Sequence, residues 1–249
     1  MTAPAQWQFD RGATQMPARG TPSSKGQEIQ RTFDRITDYY DLMNRLMTLG
    51  RHAAWCREVA AGAGVPPGGS MLDIATGTGV IALAALKRFP NATIHAVDFS
   101  ARMLAAAATK PGASAITWQQ ADANDLPFGD ESFDAVTHGY LLRNVEDVEH
   151  VLEEQYRVLK PGGRVVMLET CPPRGPLRHP VELGVRVVIP LLGQVVARDR
   201  RSYAYLQEST LGFMPPQEVA EILRRVGFGS IAWKKRFLST HMIISASKR

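Results

Sequence analysis

Leu72-Asp73-Ile74-Ala75-Thr76-Gly77-Thr78-Gly79 constrains the fold more than any other stretch of the chain. A short apolar run, Met71 to Ala75, leads into two glycines, and an Ala/Leu-rich helical pattern from Val80 to Phe89 follows. Strand, glycine turn and helix open the nucleotide-binding type of α/β fold, because a backbone without Cβ atoms turns tightly and lets a ligand come close. Gly77-Thr78-Gly79-Val80-Ile81-Ala82 also satisfies the relaxed dinucleotide fingerprint, so the glycines alone do not choose the ligand.

The alternation continues downstream. Strands are predicted at Thr93–Val97, Ala115–Trp118, Ala135–Thr137 and Arg164–Leu168, with helices at Ala101–Thr109 and Val148–Val158. Such alternation demands parallel pairing with right-handed crossovers, hence a doubly wound sheet covered on both faces. A last helix, Gln217–Val226, and a closing antiparallel pair, Ile231–Phe237 and His241–Ser247, bring the expected sheet to seven mostly parallel strands. Lys160-Pro161-Gly162-Gly163 has the composition of a turn into strand five. Residues 1–28, rich in Ala, Gly, Pro, Ser and Thr, are expected to form a flexible N-terminal tail, and residues 29–249 a single domain. Within it, residues 29–66 carry N-terminal helices, with one periodic segment from Gln27 to Met47 and a second from Arg51 to Ala61. Residues 172–213, Pro- and Arg-rich with an apolar helical middle, read as a cap inserted near the carboxyl ends of the strands.

Asp98 closes the second strand, 21 positions after Gly77. A carboxylate there can accept both hydroxyls of a ribose; it can equally cap the helix that begins near Ser100. A nicotinamide dinucleotide and S-adenosylmethionine (SAM) both carry such a ribose. Four features favour SAM. The glycine loop comes late in the chain, whereas many dinucleotide folds begin at it. Asp73, inside the first strand, repels a pyrophosphate but can bind the α-ammonium of a methionine moiety, directly or through water. Asp122-Ala123 follows the third strand, where an acid can accept from the adenine amino group. Finally, Phe133-Asp134-Ala135-Val136 and Arg157 to Gly163 lead two further strands in the right order. The expected cofactor set is Asp73, Thr76, Gly77, Thr78, Gly79, Asp98, Phe99, Asp122, Ala123 and Gly139.

Over residues 70–170 these motifs resemble class I SAM-dependent methyltransferases. A narrower resemblance spans roughly 29–230. Tyr40-Asp41-Leu42-Met43-Asn44 with His52 and Trp55, Ala121 to Phe128, Leu142-Arg143-Asn144-Val145, Arg157 to Gly163 with Leu168-Glu169, and Tyr203 to Ser209 are similar to segments of the ubiquinone/menaquinone C-methyltransferase family (UbiE/MenG). The chain departs from that pattern at Thr48, Val80, Gly139, Leu141 and Cys171, and in its ending, Phe237 to Met242. The resemblance implies C-methylation of a prenylated hydroquinone ring, such as demethylmenaquinol to menaquinol. The altered pocket and ending keep open a small-molecule O- or N-methyltransferase of another pathway.

Carbon methylation requires alignment of ring, methyl and sulfur, and removal of the hydroquinone proton. Arg143, just past strand four, is the leading catalytic candidate: it can stabilise a phenolate and orient a proton-carrying water, or instead sit in a salt bridge to Asp41 or Glu146. Tyr40 can bond the ring oxygen or close over the methyl, or simply pack its helix. Asn44, His138, Tyr140 and Asn144 are the candidate substrate contacts, with His138 a possible base at the end of strand four. No histidine, acid or cysteine cluster has metal-ligand spacing, so no metal is expected.

Charge is uneven: residues 61–171 are net −5 and residues 172–249 net +8. A basic third is either a solvated surface or a face for an anionic membrane or substrate; no recognition-helix or stacking-aromatic pattern supports nucleic acid. The apolar stretch Val181–Ala197 reads as too short for a bilayer and is interrupted by Glu182, Arg186 and Pro190. The N-terminus lacks the apolar run of a signal peptide, and Cys56 and Cys171 make no paired-thiol spacing. A cytoplasmic enzyme is expected, peripheral to the inner membrane face if the cap leans on lipid, with a homodimer left open.

Overall fold

The glycine loop leaves the middle of a seven-stranded sheet. The computed structural model describes residues 24–176 and 178–249. In chain order, α1 (Ser24–Ile36), α2 (Tyr40–Met47) and α3 (His52–Gly62) precede β1 (Ser70–Ile74), α4 (Val80–Arg88), β2 (Thr93–Asp98), α5 (Ala101–Ala108), β3 (Ile116–Gln120), β4 (Phe133–Gly139), α6 (Val148–Val158) and β5 (Leu159–Thr170). The cap follows as α7 (Arg178–Leu192) and α8 (Arg200–Gly212), then α9 (Pro216–Val226), β6 (Phe228–Arg236) and β7 (His241–Lys248). The strand order is β3-β2-β1-β4-β5-β7-β6. Strands β1 to β5 pair in parallel, and β7 runs antiparallel between β5 and β6. The order reverses between β1 and β4, so the loops after these strands part and leave a crevice at their carboxyl ends.

Burial explains the strand sequences. β1 and β4 lie inside the sheet with helices on both faces, so they read as near-continuous apolar runs. One face packs β1, β4 and β5 against α6 and α9 through Leu72, Val136, Leu152 and Leu223. The other packs Met71, Ala135 and Val166 against Val59 of α3 and Ala82 of α4. A third cluster, with Ile36, Met43, Met103, Tyr203 and Leu206, joins the N-terminal helices and α5 to the cap.

The expected elements are present, with three differences. The periodic segment Gln27–Met47 is two α-helices separated by a 3-10 turn at Thr37–Tyr39. Thr37 donates its hydroxyl to the Phe33 carbonyl (2.9 Å), a local bond that competes with the helical ladder and bends the chain. Helix α1 begins at Ser24, within the segment expected to be tail; residues 1–23 of that tail lie outside the described residues. The stretch expected to be too short for a bilayer is part of a continuous 20-residue helical run, Arg178–Ala197, apolar and long enough by length and composition to cross a membrane. Pro190 sits inside α7, and the run continues through a π-helical segment, Gly193–Ala197, so the expected interruption does not end the helix.

Two glycines carry geometry no other residue supplies. Lys160-Pro161-Gly162-Gly163, expected as a turn before strand five, lies inside β5 at an irregularity in its pairing with β4, and a Cβ at Gly163 would lie 2.7 Å from the Lys160 carbonyl oxygen. Gly79 caps α4 at φ +78°, and a Cβ there would lie 2.6 Å from the Trp118 ring. Gly79→Ala is therefore expected to cost about 1–2 kcal/mol in backbone strain and a further ~1–3 kcal/mol in overpacking. A lowered denaturation midpoint with unchanged m-value checks this; wild-type stability would refute it.

Candidate active site

Loop geometry at the crevice is built from buried polar pairs. Asp73 is fully enclosed; its two carboxylate oxygens accept from the hydroxyls of Thr76 (2.6 Å) and Thr137 (2.7 Å). Burial pushes its carboxyl up to about 6, against the pull of those two bonds. Thr78 donates its hydroxyl to Asp41 of α2 (2.6 Å), and Lys110 also binds Asp41 (2.6 Å). These bonds pin the glycine loop to the sheet and to α2. Of the expected cofactor contacts, Asp73, Thr76, Thr78 and Gly79 are not on the wall of the cavity: Asp73 bonds Thr76 and Thr137, Thr78 bonds Asp41, and Gly79 caps α4. Asp73 anchors the loop from beneath the cavity through its bonds to Thr76 and Thr137.

Asp98 does face the cavity. One carboxylate oxygen accepts from the Gly77 backbone N–H (2.7 Å), the other from the Ser100 N–H (2.8 Å). The helix cap is Ser100, whose hydroxyl oxygen accepts from the Met103 N–H (3.1 Å), so the capping alternative for Asp98 falls away. Phe99, Asp122, Ala123, Gly139 and Gly77 line the same cavity. Met103, which sequence spacing marks only as core, lines it as well while packing in the third cluster.

This first cavity, about 420 Å³, is lined by four acids, Asp98, Asp122, Glu146 and Asp147, and by no lysine or arginine among the described residues. Such a site repels a pyrophosphate and suits a cation carrying hydroxyl and amino donors. The aromatic rings of Phe33, Tyr40 and Tyr140 add faces that attract a sulfonium. The residues present therefore fit SAM: Asp98 would hold the ribose hydroxyls, and the Asp122-Ala123 segment the adenine.

A second cavity, about 500 Å³, lies beside the first and is walled by Met43, Met47, Val185, Ile189 and Leu206. Tyr40 and Tyr140 line both cavities and so mark their junction. Tyr140 holds an uncommon left-handed backbone (φ 59°), a strain that the surrounding contacts maintain. Its ring is stacked on His52 (5.8 Å), meets His241 edge-on (5.9 Å) and lies under the Arg143 guanidinium (4.9 Å). Burial holds the Tyr140 phenol well above its usual range and pushes Tyr40 up to about 12, partly offset in both by Arg143. Both tyrosines keep their protons at neutral pH, so each can hydrogen-bond or pack but does not act as a phenolate base.

Arg143 lines the second cavity. It donates to the Thr210 hydroxyl of α8 (2.7 Å), and its Nε is buried with no hydrogen-bond partner among the described residues. Asp41 is held by Lys110 and Thr78, so it does not serve as the salt-bridge partner considered from sequence. The turn bearing Arg143 is tied to β5 by Glu169, whose Oε1 accepts from the Leu142 N–H (2.6 Å). Asn44 lies in the second cavity wall. Asn144 lines the first instead; its amide donates to the Tyr140 carbonyl (2.6 Å) and accepts from the Tyr205 hydroxyl (2.9 Å), so it positions other groups.

His138 is the remaining correction. It sits in β4 between Ile74 and Met167, wholly enclosed, and lines neither cavity. Burial lowers its imidazole to about 3. A central strand with both faces covered cannot present that side chain to a ligand. Residues that sequence reasoning passed over at the second cavity are Thr210 and His241; no local motif marks either. No group of three or more His, Cys, Asp or Glu among the described residues can hold a metal.

A doubly wound sheet with an acid-lined, cation-seeking pocket at its switch point, opening onto an acceptor cavity, defines a class I SAM-dependent methyltransferase. The chain belongs to the ubiE/COQ5 methyltransferase family, which it matches over residues 21–246. It is 47% identical over 218 residues to the ubiquinone/menaquinone biosynthesis C-methyltransferase UbiE of Desulfotalea psychrophila, covering 87% of this chain and 89% of that one. It is 40% identical over 219 residues to the demethylmenaquinone methyltransferase of Deinococcus radiodurans, covering 87% and 91%. Its fold matches a solved SAM-dependent methyltransferase from Thermotoga maritima at a TM-score of 0.60 and 21% identity, covering 88% of this chain and 99% of that one.

Asp98 also predicts a pH dependence. Burial raises its carboxyl to about 6, opposed by the Ser100 and Gly77 N–H bonds. Ribose hydroxyls donate to the ionised form, so cofactor affinity is expected to be flat above pH 7 and to fall as pH drops through 6. The stability of the free protein moves the other way: burying this charge costs most above pH 6, and the cost is relieved towards the unfolded value of 3.8. Calorimetric titration with S-adenosylhomocysteine from pH 5 to 8 checks the binding arm; an affinity unchanged at pH 5 would refute it.

Proposed function

We propose that this chain transfers the methyl group of SAM to a ring carbon of a prenylated quinol, demethylmenaquinol or its ubiquinone-pathway equivalent. The observation that carries the proposal is the meeting of an acidic cavity and an apolar one at Tyr40 and Tyr140. The names borne by its relatives point the same way. When bound, SAM supplies a methyl group already activated by the positive sulfur. The chain's own contribution is alignment, exclusion of water and charge. The two tyrosines line both cavities, at the junction where acceptor and donor would meet. Arg143 offers its charge to a developing phenolate in an apolar surrounding, where it acts most strongly. Purified protein incubated with SAM and reduced demethylmenaquinol is expected to yield the methylated quinol by mass spectrometry, with no response to NADH. Failure to methylate demethylmenaquinol and its benzoquinol counterpart would overturn the proposal.

The mouth of the apolar cavity supports membrane contact as part of the same function. Leu46, Leu49, Val188 and Leu238 line the cavity and are exposed. The apolar surface continues along α7 and its π-helical extension through Leu183 (64% exposed), Val187 (54%), Leu191 (55%) and Val195 (69%). The opposite side of that run, through Ile189, Leu192 and Val196, packs on the third cluster. One face on protein and one bare apolar face suit a helix lying in the lipid interface. The cap, residues 172–213, adds six arginines against three acids, a balance suited to anionic headgroups. Vesicles of phosphatidylglycerol and phosphatidylethanolamine should sediment with the wild type but not with Val187→Asp/Leu191→Asp at equal cofactor affinity. Equal sedimentation, or a wild-type dimer that hides this face, would refute lipid as its partner.

A further inference from the structure

His241 heads β7, in register with Thr170 of β5 and Arg236 of β6, and it lines the apolar cavity beside Tyr140 and Arg143. Its ring is wedged between Trp55 (4.8 Å) and Tyr140. The hydrogen bonds around Thr240 point to one tautomer. The Thr240 hydroxyl oxygen lies 2.7 Å from the Phe237 carbonyl oxygen, and two oxygens that close need a proton between them. That is the hydroxyl's single proton, so the same oxygen must accept from His241 Nδ1–H, 2.8 Å away. The lone pair is then on Nε2, which makes no hydrogen bond among the described residues.

We propose that His241 is the proton acceptor of the methyl transfer, its Nε2 taking the hydroxyl proton of the quinol as the ring carbon attacks. This rests on the quinol reading above. The other titratable groups in the wall cannot do this: Tyr40, Tyr140 and Tyr203 hold their protons, and guanidinium has no lone pair to offer. The groups facing His241 keep it neutral beforehand. Burial is the main cause, with Arg143 and His52 adding repulsion, and the free imidazole is lowered to about 3. Arg236, opposite in the register, is bound to Glu58. A base this weak gains strength only when an anion forms beside it, as it does when the quinol oxygen releases its proton.

The step balances. The O–H pair stays with oxygen as its proton moves to Nε2. Ring electrons form the C–CH3 bond, and the S–CH3 pair returns to sulfur. The ring is left as a ketone with hydrogen and methyl on one carbon. Loss of that ring proton to water, and return of the imidazolium proton to oxygen, restore the aromatic quinol with one proton released overall. Thr240 is a positioning residue in this scheme, because it holds Nδ1–H and so keeps Nε2 bare.

The test combines spectroscopy and kinetics on the full chain. Nitrogen-15 histidine NMR of the free protein at pH 7 should show His241 neutral with an unprotonated Nε2, retained in Thr240→Ser and altered in Thr240→Val. With demethylmenaquinol, His241→Gln should lower kcat about a hundredfold at unchanged KM and S-adenosylhomocysteine affinity. Thr240→Val should lower kcat about tenfold, with Thr240→Ser restoring it. A protonated Nε2 in the wild type, or wild-type kcat in a folded His241→Gln, would overturn the proposal while leaving quinol methylation standing. If His241→Gln does not bind S-adenosylhomocysteine, the Thr240 pair decides: equal kcat in Val and Ser overturns it. A wild type that methylates no quinol overturns both.

Discussion

Asp98→Ala is expected to weaken S-adenosylhomocysteine binding by roughly a hundredfold. The carboxylate is the acceptor at the end of β2, inside the cavity, with its oxygens already oriented by the Gly77 and Ser100 N–H groups. Hydrogen bonds to a charged group are worth about 1.5–3 kcal/mol each, and a ribose edge makes two. Losing the pair costs about 3 kcal/mol after partial compensation by water, or about two decades in dissociation constant. Asp98→Asn should fall between the two, since one acceptor survives. Calorimetry at pH 7.5 measures the effect; an unchanged affinity in Asp98→Ala would remove the ribose assignment.

Arg143→Ala should act on the other half of the reaction. Its guanidinium lies over Tyr140 and is tethered to Thr210, and it lines the acceptor cavity but not the cofactor cavity. Removing a preorganised charge that stabilises a developing anion costs about 2.7–4 kcal/mol, or about a hundred- to a thousandfold in kcat. Cofactor affinity should change little. Arg143→Lys is expected to recover part of the loss, because an ammonium keeps the charge but not the planar fork. Full turnover in Arg143→Ala, or an equal loss of cofactor binding, would refute its role.

Local spacing made the cofactor half of the site legible. Asp98 stands 21 residues after Gly77, and Asp122-Ala123 follows the next strand, so short-range order placed both at strand ends where ligands gather. Legibility stopped where one short motif held both ligands and supports. Asp73 and Thr76 belong to the loop motif, yet Thr137, 64 positions away, takes up an Asp73 oxygen and turns the carboxylate into an anchor. His138 shows the same limit: its place at a strand end reads as ligand-facing, but packing on both faces of β4 encloses it. The acceptor half was less legible still, since its wall is assembled from α2, the cap and the β6–β7 turn.

From the sequence alone came the order of strands and helices, the kind of sheet they form and the cofactor they hold, because each depends on neighbours within a few tens of residues. Which side chains reach the ligands was decided by tertiary structure. Thr210 meets Arg143, and His241 comes to lie beside Thr170, only once α8 docks and β7 inserts antiparallel next to β5. Contacts across such separations depend on which surfaces bury one another, and no local pattern of residues encodes them.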